Sequence, residues 1–227
     1  MRILVTNDDG ITAEGIYILA KELQKIGEVI VAAPNTEKSA TGHAITIHRP
    51  LRVNKVKFFD TPIEAYSING TPADCVKLAV EALLKDRRPD LVISGINNGP
   101  NLGTDVIYSG TVSAAVEAAI MDIFSIAVSM GGININQYLD AAKFVCRIVK
   151  KILHHQDMVD TIININYPTC SKEEIKGVKV TTLGIRKYTN SFIERKDPRG
   201  NSYYWTSGTI VEMEQNTKSD IVALQNN

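Results

Sequence analysis

Apolar runs without polar alternation recur along this chain, spaced so that a helix fits between them. Residues 3–6 form the first run, and its lack of alternation predicts a strand buried on both faces. In residues 15–26, Ile16, Leu19, Ala20 and Leu23 recur at helical spacing, and residues 29–33 form a second apolar run stopped by Pro34. Strand, helix and strand in that order predict a parallel βαβ crossover. Residues 44–47, 51–59 and 65–69 then read as short strands, with a hairpin expected beside the main sheet. Thr71 fits an N-cap and Pro72 a first helical turn, opening a helix to about Lys85. Residues 91–94 predict a buried strand, 95–110 a long loop, 111–121 a helix, 124–129 a strand, 138–154 a long helix and 161–165 a further strand. This rhythm predicts an α/β fold built on a doubly wound, mostly parallel, Rossmann-like sheet.

After Pro168 the rhythm breaks down. Residues 178–183 are strand-like, and 188–193 with 202–206 predict a hairpin around Asp197-Pro198-Arg199-Gly200. The expected division is an α/β core at 1–170 and a C-terminal extension at 171–227 carrying an extended β-hairpin arm. An isolated hairpin is marginal in water, so a second subunit is expected to cover it.

Twenty-five basic side chains balance twenty-five acidic ones. With no net field, neither a nucleic acid polymer nor an anionic membrane is an expected partner, and an anionic ligand must be held by a local site. Cys75, Cys146 and Cys170 are far apart and form no C-x-x-C, which favours buried free thiols and a reducing cytoplasm. The apolar run before Asn7 is too short for a signal peptide, and none approaches membrane-spanning length.

Ligands of open α/β sheets sit beyond the carboxyl ends of the strands, and three such ends lead into unusual loops. Asn7-Asp8-Asp9-Gly10 follows the first strand. Adjacent carboxylates repel unless a cation lies beside them, and oxygen donors suit a hard ion such as Mg²⁺ or Mn²⁺. The same residues also suit a turn that caps the next helix. Residues 35–43 follow the second strand; Ser39 could ligate a cation or donate to phosphate, or stand in a plain polar loop. The third loop holds Asn97, Asn98 and Asn101 and runs to Ser109-Gly110-Thr111, where hydroxyls and helix-opening amides make a phosphate cradle. Long loops in compact domains are usually functional.

Neither G-x-G-x-x-G, nor a P-loop, nor a G-x-S-x-G elbow occurs, which disfavours dinucleotide binding, P-loop ATP hydrolysis and a serine nucleophile. His48, His154 and His155 lack metal spacing and read as structural, while His43 lies close enough to the second loop for a minor role.

Three blocks, at residues 1–11, 33–43 and 69–76, a longer one at 94–112 and Asp197-Pro198-Arg199-Gly200 with Tyr204-Trp205 occur in an order that resembles the stationary-phase survival protein SurE family of nucleotidases. The resemblance implies one divalent cation per subunit held by Asp8, Asp9, Ser39 and Asn97, with Asn7, Asn101, Ser109, Gly110 and Thr111 about the substrate phosphate. It implies a cytoplasmic 5′-nucleotidase that releases phosphate from nucleoside monophosphates, with 3′-nucleotides and short polyphosphate as further substrates. It also implies a homodimer or homotetramer with exchanged C-terminal segments. Asn98 departs from a frequent alanine, and the family pattern continues into another strand past residues 219–224.

In the expected mechanism, Asp8 or Asp9 takes a proton from an attacking water. A phospho-aspartyl intermediate is the competing route, disfavoured by the absence of D-x-D. The other class of function is a non-catalytic nucleotide or phosphate sensor on the same fold. A phosphatase for sugar phosphates would share the site.

Overall fold

The computed structural model describes residues 1–132, 137–152, 161–211, 213 and 216–226. The first strand, β1 (Arg2–Thr6), leads through the Asp8-Asp9 loop into α1 (Glu14–Leu23), and β2 (Glu28–Pro34) returns parallel to β1, pairing Ile3 with Val29. Of the three short strands expected next, two form: β3 (Val53–Lys57) and β4 (Glu64–Ile68), an antiparallel pair joined to the main sheet by β4 alongside β2. Residues 44–47 are not a strand. The Thr46 amide and hydroxyl both donate to Asp74, at 2.9 and 2.6 Å, and the Ala44 carbonyl accepts from Thr71, so groups a ladder would need are bound to a helix instead.

That helix is α2 (Pro72–Leu78). Thr71 and Asp74 cap it reciprocally, and a single π turn, Ala79–Leu83, continues it. Then come β5 (Leu91–Asn97), a 3₁₀ segment at Gly103–Tyr108, α3 (Gly110–Ile120), β6 (Ser125–Met130), α4 (Tyr138–Ile152) and β7 (Ile162–Tyr167). The seven strands lie in the order β3-β4-β2-β1-β5-β6-β7, all parallel except β3. Strand order reverses between β1 and β5, the switch point at which open α/β sheets bind ligands.

Alternate residues of β1 go to opposite layers. Ile3 and Val5 pack with α1 and α4 through Leu19, Leu23, Ala141 and Val145, whereas Leu4 packs with α2 and α3 through Val76, Ala114 and Ala118. Both faces are covered, which explains the unbroken apolar runs. Cys75, Cys146 and Cys170 are free, and burial pushes the Cys75 thiol well up. No helix among the described residues is long and apolar enough to cross a membrane. His154 and His155 lie outside the described residues.

Beyond residue 170, β8 (Tyr188–Thr189), β9 (Phe192–Lys196), β10 (Ser202–Thr206) and β11 (Thr209–Ile210) build one long hairpin in two steps, β9 with β10 and β8 with β11. Its tip is tied by Asp197, which accepts from the Arg199 and Asn201 amides at 2.8 and 2.9 Å. Residues 178–183 form no strand; Thr182 makes one isolated bridge to Ser219. The last element, α5 (Asp220–Gln225), returns to the core: buried Asp220 accepts from the amides of Gly103, at 2.7 Å, and Gly184, at 2.8 Å.

Candidate active site

The carboxyl ends of β1, β2 and β5 meet around a cavity of about 440 Å³. From the β1 loop come Asp8 and Asp9, from the β2 loop Glu37, Ser39 and Ala40, and from the loop after β5 the run Asn97 to Asn101, then Asp105, Tyr108 and Ser109. Four carboxylates line this space, and among the described residues no lysine or arginine does.

Asp8 is buried at 5% exposure, and the Thr111 hydroxyl donates to its Oδ1. Burial raises its carboxyl above the ordinary range, and the Thr111 bond opposes part of that rise. Gly110 makes this approach possible: a Cβ there would stand 2.9 Å from the Asp8 Cβ and 3.1 Å from its Oδ2. Asp9 is half-buried and accepts from the Asn98 amide at 3.3 Å. Burial first, and the Asp8 charge second, push its carboxyl up to about 6.

The neutral oxygens are placed with equal economy. Asn97 ends β5 and donates its side-chain amide to the Gly99 carbonyl at 2.7 Å, so its side-chain oxygen is the atom that could act as an acceptor or ligand. The Ser39 hydroxyl donates to Glu37 at 2.5 Å, keeping its lone pairs for another partner. Asn101 is clamped: its side chain donates to Ser129 at 2.8 Å, and its backbone carbonyl accepts from Asn164 and Asn166, both at 2.9 Å. Ser109 caps α3 and aims the helix N-terminus at the cavity, beside the carboxylates.

Asp8, Asp9, Ser39, Asn97, Asn101 and Ser109 therefore share one cavity. Asn7, Gly110 and Thr111 stand behind its wall. Both ends of the Asn7 side chain bond Gly10, at 2.9 and 3.2 Å, and shape the loop that presents Asp8 and Asp9. Sequence reasoning did not pick out Glu37, Asp105 or Tyr108 on the wall, nor Asn164 and Asn166 behind it. The last two had a signal, since Asn alternates with Ile along β7, and a partly buried amide in a strand is placed where it finds a partner for at least one end.

The donor set fits a hard divalent cation. It is all oxygen, two of its members are carboxylates whose charged forms burial and neighbouring carboxylates disfavour, and no lysine or arginine among the described lining residues offsets them. Among the described residues no three His, Cys, Asp or Glu side chains form a group able to hold a metal, so a cation in this cavity would need neutral oxygens such as those of Ser39 and Asn97 as well. A pH dependence follows. Asp9 titrates at about 6 in the folded chain against an ordinary 3.8, so the stability this group contributes is full below 3.8 and is lost as pH rises through 6. A divalent cation should then raise the melting temperature of chelator-treated protein more at about pH 7.5 than at about pH 5. Thermal melts with EDTA or Mg²⁺ check this, with Asp9→Asn expected to lose most of the difference.

The family model described as survival protein SurE matches residues 3–190. The chain is 68% identical to the 5′-nucleotidase SurE of Alkaliphilus metalliredigens, covering 100% of this chain and 89% of that protein. Against the 5′-nucleotidase SurE of Carboxydothermus hydrogenoformans it is 58% identical, covering 99% and 86%. The crystal structure of the SurE protein from Aquifex aeolicus superposes with a TM-score of 0.84 at 41% identity, covering 100% of this chain and 90% of that one. A match of this extent in sequence and in fold establishes that the chain belongs to the SurE family.

Proposed function

We propose that this chain is a divalent-metal-dependent phosphoric monoester hydrolase, a 5′-nucleotidase that converts nucleoside monophosphates to nucleoside and phosphate. The observation that carries the reading is the cavity lining: four carboxylates, no basic side chain among the described residues, and the N-terminus of α3. Such a cavity repels a phosphate dianion until a cation is present.

Asp8, Asp9, Ser39 and Asn97 would hold one Mg²⁺ or Mn²⁺ per subunit. When bound, the cation offsets phosphoryl charge and acidifies a water. Asn101 and Ser109 receive the phosphoryl oxygens, and the N-terminus of α3 at Gly110 and Thr111 adds its dipole from behind the wall. Asp9, the more exposed of the two carboxylates, takes the proton of the attacking water as its oxygen bonds to phosphorus. The P–O ester bond breaks, and the leaving nucleoside oxygen is protonated from solvent. Short polyphosphate and 3′-nucleotides are further candidate substrates of the same site. A cytoplasmic setting agrees with three free thiols.

Tyr108 sets the substrate class. It is the one aromatic side chain among the described lining residues, it is 65% exposed, and it neighbours the phosphate cradle at Ser109. Stacking a base on an aromatic face is worth about 1–3 kcal/mol, so Tyr108→Ala should raise KM for a nucleoside monophosphate about tenfold. KM for ribose 5-phosphate, which has no base, should stay put, and Tyr108→Phe should keep the wild-type value. Equal losses on both substrates would remove the base platform and favour a sugar-phosphate enzyme.

The assembly is a homodimer or homotetramer through the segment 171–227. The arm leaves Phe192, Tyr204 and Trp205 more than 60% exposed, at 67, 62 and 64%. A nucleoside monophosphate panel with Mg²⁺, Mn²⁺ or EDTA tests the function. Phosphate release that EDTA abolishes is the expected result. No release from folded protein with either metal would leave a nucleotide-binding module. Acid-quenched protein carrying phosphate would replace direct water attack with a phospho-aspartyl route.

A further inference from the structure

We propose that His43 and Glu117 are positioning residues for Ser39 and thereby set how tightly the site holds a divalent cation. The proposal rests on the reading of Ser39 as one of that cation's ligands.

The stretch from residue 35 to residue 52, between β2 and β3, has no regular secondary structure, so no ladder holds Ser39 in place. It is held by separate ties. Before Ser39, the Lys38 amide donates to the Asp8 carbonyl at 2.7 Å. After it, the Gly42 amide donates to the Tyr108 carbonyl at 3.0 Å, and His43 Nε2 meets Glu117 Oε2 at 2.8 Å. Between the two sets of ties, Ala40 has φ 54°, a left-handed conformation that an alanine keeps only where its surroundings impose it. This enforced residue follows Ser39 directly. The Thr41 hydroxyl, donating to the Lys38 carbonyl at 2.9 Å, closes the turn around Ser39 and Ala40, so loosening the downstream ties shifts that turn as a unit and carries the Ser39 hydroxyl away from the cavity.

Glu117 is otherwise hard to explain. It lies on α3 at 4% exposure and takes no part in the cavity lining. A buried carboxylate is costly unless paired, and this one has two partners: His43 on one oxygen and Lys77 of α2, at 3.2 Å, on the other. His43 is the partner that belongs to the Ser39 segment. Helix α3 thus steadies two ligand-bearing loops, holding Asp8 through Thr111 at its first turn and the Ser39 segment through Glu117 farther along.

Mn²⁺ binding to the full chain without substrate, read by electron paramagnetic resonance, tests the proposal. His43→Ala is expected to weaken Mn²⁺ binding about tenfold, in the range typical for groups that orient metal ligands. His43→Gln keeps a donor for Glu117 and should recover most of that affinity, which a role in general packing would not predict. In a Ser39→Ala background, His43→Ala should add nothing further. Wild-type affinity in His43→Ala overturns the proposal, as does an equal loss with and without the Ser39 hydroxyl. Ser39→Ala with wild-type affinity would instead remove the ligand assignment beneath it, a failure distinguishable because that single variant reports it alone. Should His43→Ala fold poorly, Glu117→Gln, which keeps an acceptor for His43, serves as the second variant and should cost less than tenfold.

Discussion

Asp9→Ala is expected to lower kcat/KM for a nucleoside monophosphate by about three orders of magnitude or more, because a ligand lost from a catalytic cation removes several kcal/mol of transition-state stabilisation. The same change should stabilise the chelator-treated protein. Asp9 is a half-buried carboxylate beside Asp8, and its removal takes away a charge that burial and Asp8 both disfavour. Activity and stability therefore move in opposite directions, which separates a site defect from misfolding. Asp8→Ala is a less clean experiment, because it also leaves the Thr111 hydroxyl without its acceptor. Steady-state kinetics with saturating Mg²⁺, beside melts in EDTA, measure both effects. Turnover at the wild-type rate would mean that Asp9 takes no part in the chemistry, since the structure already shows α1 capped at Ala13 and not by either aspartate.

Gly15→Ala carries the largest expected stability loss. On propensity alone the change should help, since alanine favours a helix by about 1 kcal/mol over glycine. Sterics win here. A Cβ at Gly15 would lie 2.3 Å from the Ile96 carbonyl oxygen and 3.2 Å from its carbon, both backbone atoms that no rotamer change can move. Forced repacking of a dense interface costs about 1–3 kcal/mol and sometimes more, so a net loss of about 2 kcal/mol is expected. For a chain of this size that lowers the melting temperature by roughly 4–8 °C. Activity should fall as well. The residue after Ile96 is Asn97, and a ligand displaced by about 1 Å can cost on the order of a hundredfold in rate. A melting temperature at or above wild type would show that α1 slides along β5 freely.

Much of the fold was legible in the sequence because a sheet covered on both faces needs continuous apolar runs, and β1, β2, β5 and β6 supply them. Strand β5 runs to Asn97 rather than stopping at Ser94, because after an irregularity at Gly95 and Ile96 that shifts the register, Asn97 pairs again with Ser129 of β6. Residues 44–47 alternate like a strand, yet their hydrogen-bonding groups go to Thr71 and Asp74, partners far away in sequence that no local pattern reveals. Helix α5 escaped notice for a similar reason: six residues carry little periodicity, and Asp220 has its role only once Gly103 and Gly184 are brought to it. At the site, the adjacent aspartates and the Asn-rich loop were conspicuous. Glu37 and Asp105 were not, because a lone carboxylate in a polar loop looks like solvent-facing charge.

The tie from Asp220 to Gly103 spans 117 residues and holds the segment that carries Asp105 and Tyr108. Arg186 and Tyr188 reinforce it, donating to Asp105 at 2.9 and 2.8 Å. Contacts so distant in sequence must close a large loop before they are rewarded, so they form late. During synthesis the βαβ half of the cavity, with Asp8, Asp9 and Ser39, can assemble while the opposite rim is still waiting for the end of the chain. The rim that carries Asp105 and Tyr108 thus has its Gly103 tie only once Asp220 has been synthesised and folded back onto the core.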